Sequence, residues 1–184
     1  MNRMRGKTVI ITGATSGMGK ATAVMFAREG AEVLLVGRNE KRGAEVVREI
    51  SEFGGKVRLY VCDISFEENV LNLVHRISES YDKIDVLFNN AGIWDTSALE
   101  EIDEERIRKS FAINYDAIVL MSKYFMPMLV RAKGNIINNA SMGGLDSFVS
   151  GTKQYVYAST KAAVIKFSKL LAKNYADSIR VNCI

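Results

Sequence analysis

The chain has 184 residues, of which 48% are hydrophobic and 25% carry a charge. That balance excludes a disordered or fibrous protein and suffices for one buried domain, which we assign to residues 1–184. The net charge of +4 arises from 25 basic residues interleaved with 21 acidic ones, so the sequence predicts no nucleic acid partner.

The predicted elements alternate between strand and helix along the chain. Short apolar runs predict six strands, at Thr8–Thr12, Ala31–Val36, Lys56–Cys62, Ile84–Phe88, Asn135–Asn139 and Ile179–Ile184. Helical periodicity predicts five helices between them, at Met18–Glu29, Glu40–Phe53, Glu67–Tyr81, Asp103–Arg131 and Tyr155–Tyr175. Pro127 is the only proline, and we expect it to kink or end the fourth helix. The alternation predicts an α/β fold, an open, doubly wound parallel sheet with helices on both faces.

Rare residue types exclude several kinds of site. Cys62 and Cys183 are too few for a disulfide framework, which favours a reducing, cytoplasmic setting. His75 is the only histidine, so two-histidine zinc sites are excluded and we expect no metal. No run approaches 18 apolar residues and Met1–Gly6 lacks a signal core, so we expect a soluble chain with no membrane partner.

A glycine-rich turn, Thr12–Gly19, follows the first strand at the sheet edge where such folds bind ligands. Its glycines let the backbone approach a pyrophosphate, which then lies at the N-terminus of the next helix. The residues that we assign to a dinucleotide cofactor are Gly13, Thr15, Ser16, Gly17, Met18 and Gly19. A plain strand-to-helix connection has the same pattern, so the turn alone does not decide the function.

Arg38 follows the second strand, nineteen residues after Gly19. A dinucleotide fold has here either an acid for a ribose 2′-hydroxyl or an arginine for a 2′-phosphate. The preceding residue is Gly37 rather than an acid, and a guanidinium can bind a phosphate through two donors. Arg38 therefore predicts NADP rather than NAD, although an ordinary surface arginine would have the same position.

The third, fourth and fifth strands also end in candidate site residues, namely Asp63, Ile64, Asn90, Ala91, Gly92 and Ser141. An Asn-Asn-Ala-Gly turn at 89–92 is equally compatible with simple turn chemistry, and Ser141 with a helix cap. Tyr157 and Lys161 are four residues apart on a predicted helix, so both side chains lie on one face. An ammonium beside a phenol favours the phenolate, so this pair reads as a proton donor.

Taken together, these motifs resemble the short-chain dehydrogenase/reductase family over the whole chain. The resemblance is carried by Thr-Gly-x-x-x-Gly-x-Gly at 12–19, Asn-Asn-Ala-Gly at 89–92, Asn114, Ser141 and Tyr157-x-x-x-Lys161. It implies a Rossmann-type sheet with strand order 3-2-1-4-5-6, usually with a seventh strand, and a nicotinamide cofactor.

The resemblance also implies a role for each catalytic residue. Tyr157 would exchange the proton with the substrate oxygen, and Ser141 would hydrogen-bond to that oxygen. Lys161 would depress the tyrosine pKa and hold the nicotinamide ribose, so both Tyr157 and Lys161 also contact the cofactor. Asn114 would fix the lysine through a water.

Two features depart from the family pattern. The segment Met142–Val156, which contains Gly143-Gly144, Phe148 and Ser150-Gly151, is a few residues longer than usual and borders the expected substrate pocket. The sequence also stops at Ile184, before the substrate lid and the seventh strand of the family. We therefore expect a polypeptide ending there to be inactive and to expose β-strand edge side chains at Ile179, Val181 and Ile184.

The leading interpretation is an NADP-dependent oxidoreductase that acts on a small-molecule ketone or secondary alcohol, similar to 3-oxoacyl-[acyl-carrier-protein] reductases. A nucleotide-sugar epimerase or dehydratase, and a non-catalytic dinucleotide-binding sensor, are the alternatives. The resemblance further implies a homodimer or homotetramer that pairs through the helices at Asp103–Arg131 and Tyr155–Tyr175. We expect the pairing surface to include Phe111, Ile118, Met121 and Phe125, although core residues of a single chain would show the same apolar pattern.

Overall fold

A computed structural model describes residues 2–148 and 153–184. Its centre is a parallel six-stranded sheet with strand order β3-β2-β1-β4-β5-β6. The strands are β1 (Thr8–Thr12), β2 (Glu32–Gly37), β3 (Lys56–Val61), β4 (Val86–Asn89), β5 (Asn135–Asn138) and β6 (Arg180–Cys183). Both the predicted fold class and the predicted strand order are confirmed.

Within the described ranges, six α-helices cover the two faces of this sheet. They are α1 (Gly17–Arg28), α2 (Glu40–Glu52), α3 (Glu67–Ser78), α4 (Glu104–Phe111), α5 (Ala117–Ala132) and α6 (Tyr155–Asn174). Side chains alternate along β1, so that Val9 and Ile11 pack with α1 and α2 while Ile10 packs with α3 and α5. No described helix is long and apolar enough to cross a membrane.

The long helix predicted at 103–131 is divided, but not at its proline. A π-helical segment, Ala112–Asp116, separates α4 from α5, whereas Pro127 lies inside α5, which continues to Ala132. The prediction that Pro127 could end the helix is therefore wrong. Phe125 and Leu129 on either side of Pro127 are fully buried, and this packing outweighs one missing backbone hydrogen bond.

The apolar residues expected to form a pairing surface are mostly core residues. Ile118, Met121 and Phe125 are buried within the single chain, because α5 presents them to the sheet and to α6. Only Phe111 is partly exposed, and its ring packs edge-to-face on Tyr115. These buried side chains cannot form a contact between subunits.

The outer edge strand β6 is less apolar than expected. Ile179 precedes the strand and is buried in the core, so it does not contribute to the exposed edge. Val181 is partly buried, and Ile184 alone of the three is exposed.

Candidate active site

The carboxyl ends of β1 to β5 surround a cavity of about 620 Å³. Eleven of the residues predicted to bind a cofactor line it: Gly13, Thr15, Ser16, Met18, Gly19, Arg38, Asp63, Ile64, Asn90, Ala91 and Gly92. Gly17 does not line the cavity, although its backbone has the positive φ of +53° that favours glycine. Ser141, Tyr157, Lys161 and Asn114 also lie outside this lining. Lys161 and Asn114 lie next to Gly92 beside the cavity, and the ring of Tyr157 lies near Nζ of Lys161.

The turn after β1 is held against the turn after β4. Gly13 has a φ of +65°, and a Cβ atom on it would lie 2.8 Å from the Cα atom of Ala91. A Cβ on Gly19 would lie 2.3 Å from the carbonyl oxygen of Gly13. Both glycines are therefore required by close backbone approach, as a nucleotide-binding turn requires.

The N-terminus of α1 has unused hydrogen-bond donors. Its N-cap residue, Ser16, makes no side-chain capping hydrogen bond, and the first turn contains no acidic residue. In α2 and α4, by contrast, Asn39 and Asp103 accept a hydrogen bond from the first turn. The backbone N–H groups and the helix dipole at α1 are thus free for an anion such as a pyrophosphate.

Thr12 is a positioning residue that the sequence interpretation did not single out. Its buried Oγ1 accepts hydrogen bonds from the backbone N–H groups of Asn90 and Ala91, each at 3.0 Å. The Asn90 side chain donates in return to the carbonyl oxygen of Thr12 at 3.0 Å. The cavity position of Asn90 is therefore fixed by the end of β1. The signal of Thr12 in the sequence is a hydroxyl at the last position of a strand whose three central residues are apolar.

Arg38 lies at the rim of the cavity, with most of its side chain exposed. Its Nη1 is 3.7 Å from Oδ2 of Asp63, and Arg42 from the first turn of α2 lines the same cavity. Although burial would raise the pKa of Asp63, hydrogen bonds from Ser65 and the Arg38 guanidinium hold it below its usual range. An exposed ion pair of this kind contributes little free energy, so Arg38 can turn towards a phosphate with little loss of stability.

Lys161 is almost completely buried in α6. Its Nζ donates a 2.6 Å hydrogen bond to the backbone carbonyl of Asn139 and lies 5.7 Å from the centroid of the Tyr157 ring. Burial lowers the pKa of Lys161 to about 8, so the ammonium form still predominates at pH 7. A Cβ on Gly92 would lie 3.7 Å from this Nζ, which places the Asn-Asn-Ala-Gly turn directly beside the lysine.

Asn114 lies in the π-helical segment and is fully buried. Its Oδ1 accepts from the backbone N–H of Ile93 at 2.8 Å, and its Nδ2 donates to the carbonyl oxygen of Ile93 at 2.9 Å. The same Nδ2 also lies 3.2 Å from Oγ1 of Thr160, the neighbour of Lys161. Asn114 thus joins the segment after β4 to α6, through contacts that no spacing in the sequence revealed.

Ser141 follows β5 and caps a single 3-10 turn, Met142–Gly144. Its Oγ accepts a 3.1 Å hydrogen bond from the backbone N–H of Gly143, which leaves the hydroxyl hydrogen free to be donated. A Cβ on Gly144 would lie 2.6 Å from the backbone of Lys161 and Ala162, so the turn packs directly on α6. Part of the longer segment after it, including Ser150 and Gly151, lies outside the described residues.

Comparisons with known proteins identify the relatives of this arrangement. The family model described as short chain dehydrogenase matches residues 7–184. The 3beta-hydroxysteroid dehydrogenase of Mediterraneibacter gnavus is 37% identical over 177 residues, which are 96% of this chain and 63% of that protein. The 3-oxoacyl-[acyl-carrier-protein] reductase FabG of Thermotoga maritima is 34% identical over 99% of this chain and 74% of its own length.

A solved structure shows the same fold with ligands. The crystal structure of L-sorbose reductase from Gluconobacter frateurii, complexed with NADPH and L-sorbose, superimposes with a TM-score of 0.91 at 34% identity. The match covers all of this chain and 70% of that chain. Across these three relatives, the chain therefore spans between 63% and 74% of their length.

Proposed function

Because the chain belongs to the short-chain dehydrogenase family, we propose that it is an NADP-dependent oxidoreductase that interconverts a ketone and a secondary alcohol. One observation carries the proposal: Lys161 lies between the ring of Tyr157 and the Gly92 turn that lines the cavity, and the turn after Ser141 packs on the backbone of Lys161. Residues 1–184 would act as one dinucleotide-binding and catalytic domain, which the single six-stranded sheet supports.

The described residues fit a dinucleotide. The uncapped N-terminus of α1 and the glycine turn would hold the pyrophosphate, and Arg38 would hold the 2′-phosphate of NADP. Asp63, Ile64 and the turn at 90–92 would line the remaining length of the site, with Lys161 at the ribose next to the nicotinamide. When bound, the nicotinamide ring supplies or accepts a hydride.

The side chains of this protein would manage the proton and the charge on the substrate oxygen. Ser141 would donate its free hydroxyl hydrogen to that oxygen, and Tyr157 would give or take the proton. The Lys161 ammonium, 5.7 Å from the Tyr157 ring, would favour negative charge on the phenolic oxygen. Asn114 would keep the Ile93 segment and α6 in register, so that Lys161 stays near Tyr157.

A reductase for 3-oxoacyl groups on carrier protein is a specific form of this activity. The 34% identity to FabG of Thermotoga maritima supports it. The dehydrogenase family match over residues 7–184 favours oxidoreduction over an epimerase or dehydratase. The presence in the sequence of Asn114, Ser141, Tyr157 and Lys161, to which we assign catalytic roles, favours an enzyme over a sensor.

The proposal includes a small-molecule partner and self-association. Pairing of two subunits would use the solvent-facing sides of α5 and α6, where Val130 and Leu170 are exposed, together with the exposed Tyr175 that follows α6. It would not use the buried residues first expected. Analytical ultracentrifugation tests this point, and a monomer at high micromolar concentration would contradict it.

The two free cysteines support a reducing, cytoplasmic compartment.

Turnover of NADPH by the full-length protein with a panel of ketones, followed by absorbance, tests the activity, and all kcat values predicted below refer to that protein. Tyr157→Phe should lower kcat by about 100- to 10,000-fold while NADPH affinity remains close to that of the wild type, because only the transferable proton is lost. Tyr155→Phe is the matched control on the same helix, since Tyr155 is exposed and has no assigned role. A Tyr157→Phe enzyme that retained its kcat would remove Tyr157 from the mechanism.

A further inference from the structure

Exposed apolar side chains adjoin the proposed reactive groups. Trp94 is 70% exposed and follows the turn after β4, while Met142 is 67% exposed and directly follows Ser141. Leu145, at the end of the same 3-10 turn, is 44% exposed. Large apolar side chains that face solvent next to a binding cavity indicate a surface that an apolar ligand covers.

The segment that carries Trp94 is fixed to α6. Both backbone polar groups of Ile93 are hydrogen-bonded to the side chain of Asn114, at 2.8 and 2.9 Å. Asn114 in turn donates to Oγ1 of Thr160, three residues after Tyr157 and next to Lys161. The backbone of the segment that carries Trp94 is therefore held close to the turn of α6 that contains Tyr157 and Lys161.

The segment that carries Met142 and Leu145 packs on the same turn of α6. The ideal Cβ position of Gly143 is 4.0 Å from the Cβ of Ala158, and that of Gly144 is 2.6 Å from the backbone of Lys161. The two apolar segments thus flank the part of α6 that holds Tyr157 and Lys161. If Ser141 and Tyr157 hold the substrate oxygen, the carbon substituents of the substrate would lie over these segments.

Charges in these two segments are few and are already satisfied. Asp95 is the only charged residue within the two segments 93–98 and 141–145. Its carboxylate accepts a 2.8 Å hydrogen bond from the backbone N–H of Ser97 and lies 3.5 Å from Nη1 of Arg106. Neither segment contains a cation, and the guanidinium of Arg106, which contacts residues 93–98, is already paired with Asp95 and donates to Oγ of Ser97 at 2.8 Å. Beyond them Asp146 and Lys153, both exposed, carry opposite charges.

From this geometry we infer that the substrate is an uncharged ketone or secondary alcohol on a broad hydrocarbon skeleton, which packs against Trp94 and Met142. The inference rests on the proposed oxidoreductase function and specifies its substrate class. A polyhydroxy ketone would lose hydrogen bonds to water against these side chains, which offer the indole N–H of Trp94 as their one strong donor. A fused-ring hydrocarbon would instead remove apolar surface of both partners from water.

Trp94 is the only tryptophan of the chain, so its fluorescence reports on this surface without any need for turnover. We would titrate the protein, with and without NADP⁺, with the bicyclic ketone trans-1-decalone and with D-fructose. Decalone should change the Trp94 emission in a saturable way, whereas fructose should not at much higher concentration. Absence of a saturable decalone response, or an equal response to fructose, would overturn the inference.

Variants locate the binding surface while Trp94 is retained as the probe. Met142→Ala should weaken decalone binding by about tenfold, because part of the apolar contact is lost, and Met142→Leu should restore most of it. Met25→Ala is the matched control, since Met25 is 62% exposed on α1 and does not line the cavity. Equal weakening by Met25→Ala and Met142→Ala would show non-specific partition and overturn the inference.

The two proposals fail in different ways in this experiment. Saturable decalone binding with no NADPH consumption for any ketone would contradict the oxidoreductase function and support the apolar site. Reduction of fructose with no decalone response would support the oxidoreductase function and overturn the apolar substrate class.

Discussion

The ammonium group of Lys161 donates a 2.6 Å hydrogen bond to the backbone carbonyl of Asn139. The side chain of Asn139 donates to Oδ1 of Asn90 at 3.2 Å, and Asn90 donates to the carbonyl of Thr12 at 3.0 Å. These three hydrogen bonds connect α6, β5, β4 and β1 at one edge of the sheet. The lysine beside Tyr157 and the dinucleotide turn are therefore parts of one polar network.

The buried position of Lys161 predicts a pH dependence of stability. Its pKa is about 8 in the folded chain and near its ordinary 10.5 in the unfolded chain. Between these values the unfolded state binds the extra proton, so the free energy of unfolding should rise with pH. Urea unfolding of the cofactor-free protein and of Lys161→Met at pH 7 to 10.5 tests this expectation. The stability of the wild type relative to the variant should increase by about 3 kcal/mol at most. A difference that stays constant over this pH range would contradict the assigned burial.

Arg38 should determine the preference for NADP. A charge-assisted hydrogen bond to the 2′-phosphate contributes about 1.5–3 kcal/mol, so Arg38→Ala should weaken NADP binding by about 10- to 100-fold and leave NAD binding unchanged. Calorimetric titration of both cofactors measures the change. Arg48→Ala is the control, because Arg48 is exposed on α2 but does not line the cavity. Equal affinities of the wild type for NADP and NAD would show that Arg38 has no such role.

Gly143 and Gly144 should differ sharply in their tolerance of alanine. The Cβ of Gly144→Ala would meet the backbone of Lys161 and Ala162 at 2.6 Å, which must displace Ser141 from α6. The closest contact of the Cβ in Gly143→Ala would be the tip of the flexible Gln154 side chain, at 3.2 Å, while Oγ of Ser141 at 3.6 Å and Cβ of Ala158 at 4.0 Å are at ordinary van der Waals distances. We expect kcat to fall by about 100-fold in Gly144→Ala, because the reactive groups are misplaced, and to change little in Gly143→Ala. Similar kcat values for the two variants would contradict the packing of this turn.

Thr12→Val should destabilise the site although the two side chains have nearly the same shape. Valine leaves the partly buried backbone N–H groups of Asn90 and Ala91 without their acceptor, at a cost of up to about 1–3 kcal/mol for each group. Chemical unfolding and NADP titration should both show the loss. Thr8→Val on the same strand is the control, since its side chain makes no hydrogen bond among the described residues. If Thr8→Val and Thr12→Val lose equal stability, the Thr12 hydroxyl has no special role.

Local patterns in the sequence were enough to predict the sheet. Buried parallel strands such as β1 and β2 are continuously apolar, and glycine or polar residues mark their ends, so element type and order can be read residue by residue. The observed strands begin and end within two residues of the predicted ones. The glycine turn and the Tyr157–Lys161 pair were also recognisable, because their spacing is short and lies within one element.

Only the tertiary structure decided which of these residues meet and what each one does. Ile118, Met121 and Phe125 have the same apolar character whether they face the core or a partner subunit, and only packing shows that they are buried. Thr12, Asn139 and Thr160 act through hydrogen bonds to residues between 22 and 79 positions away, which no local pattern encodes. Likewise, Gly144 is required because α6 passes within contact distance of its Cα atom, and that approach exists only after the chain has folded.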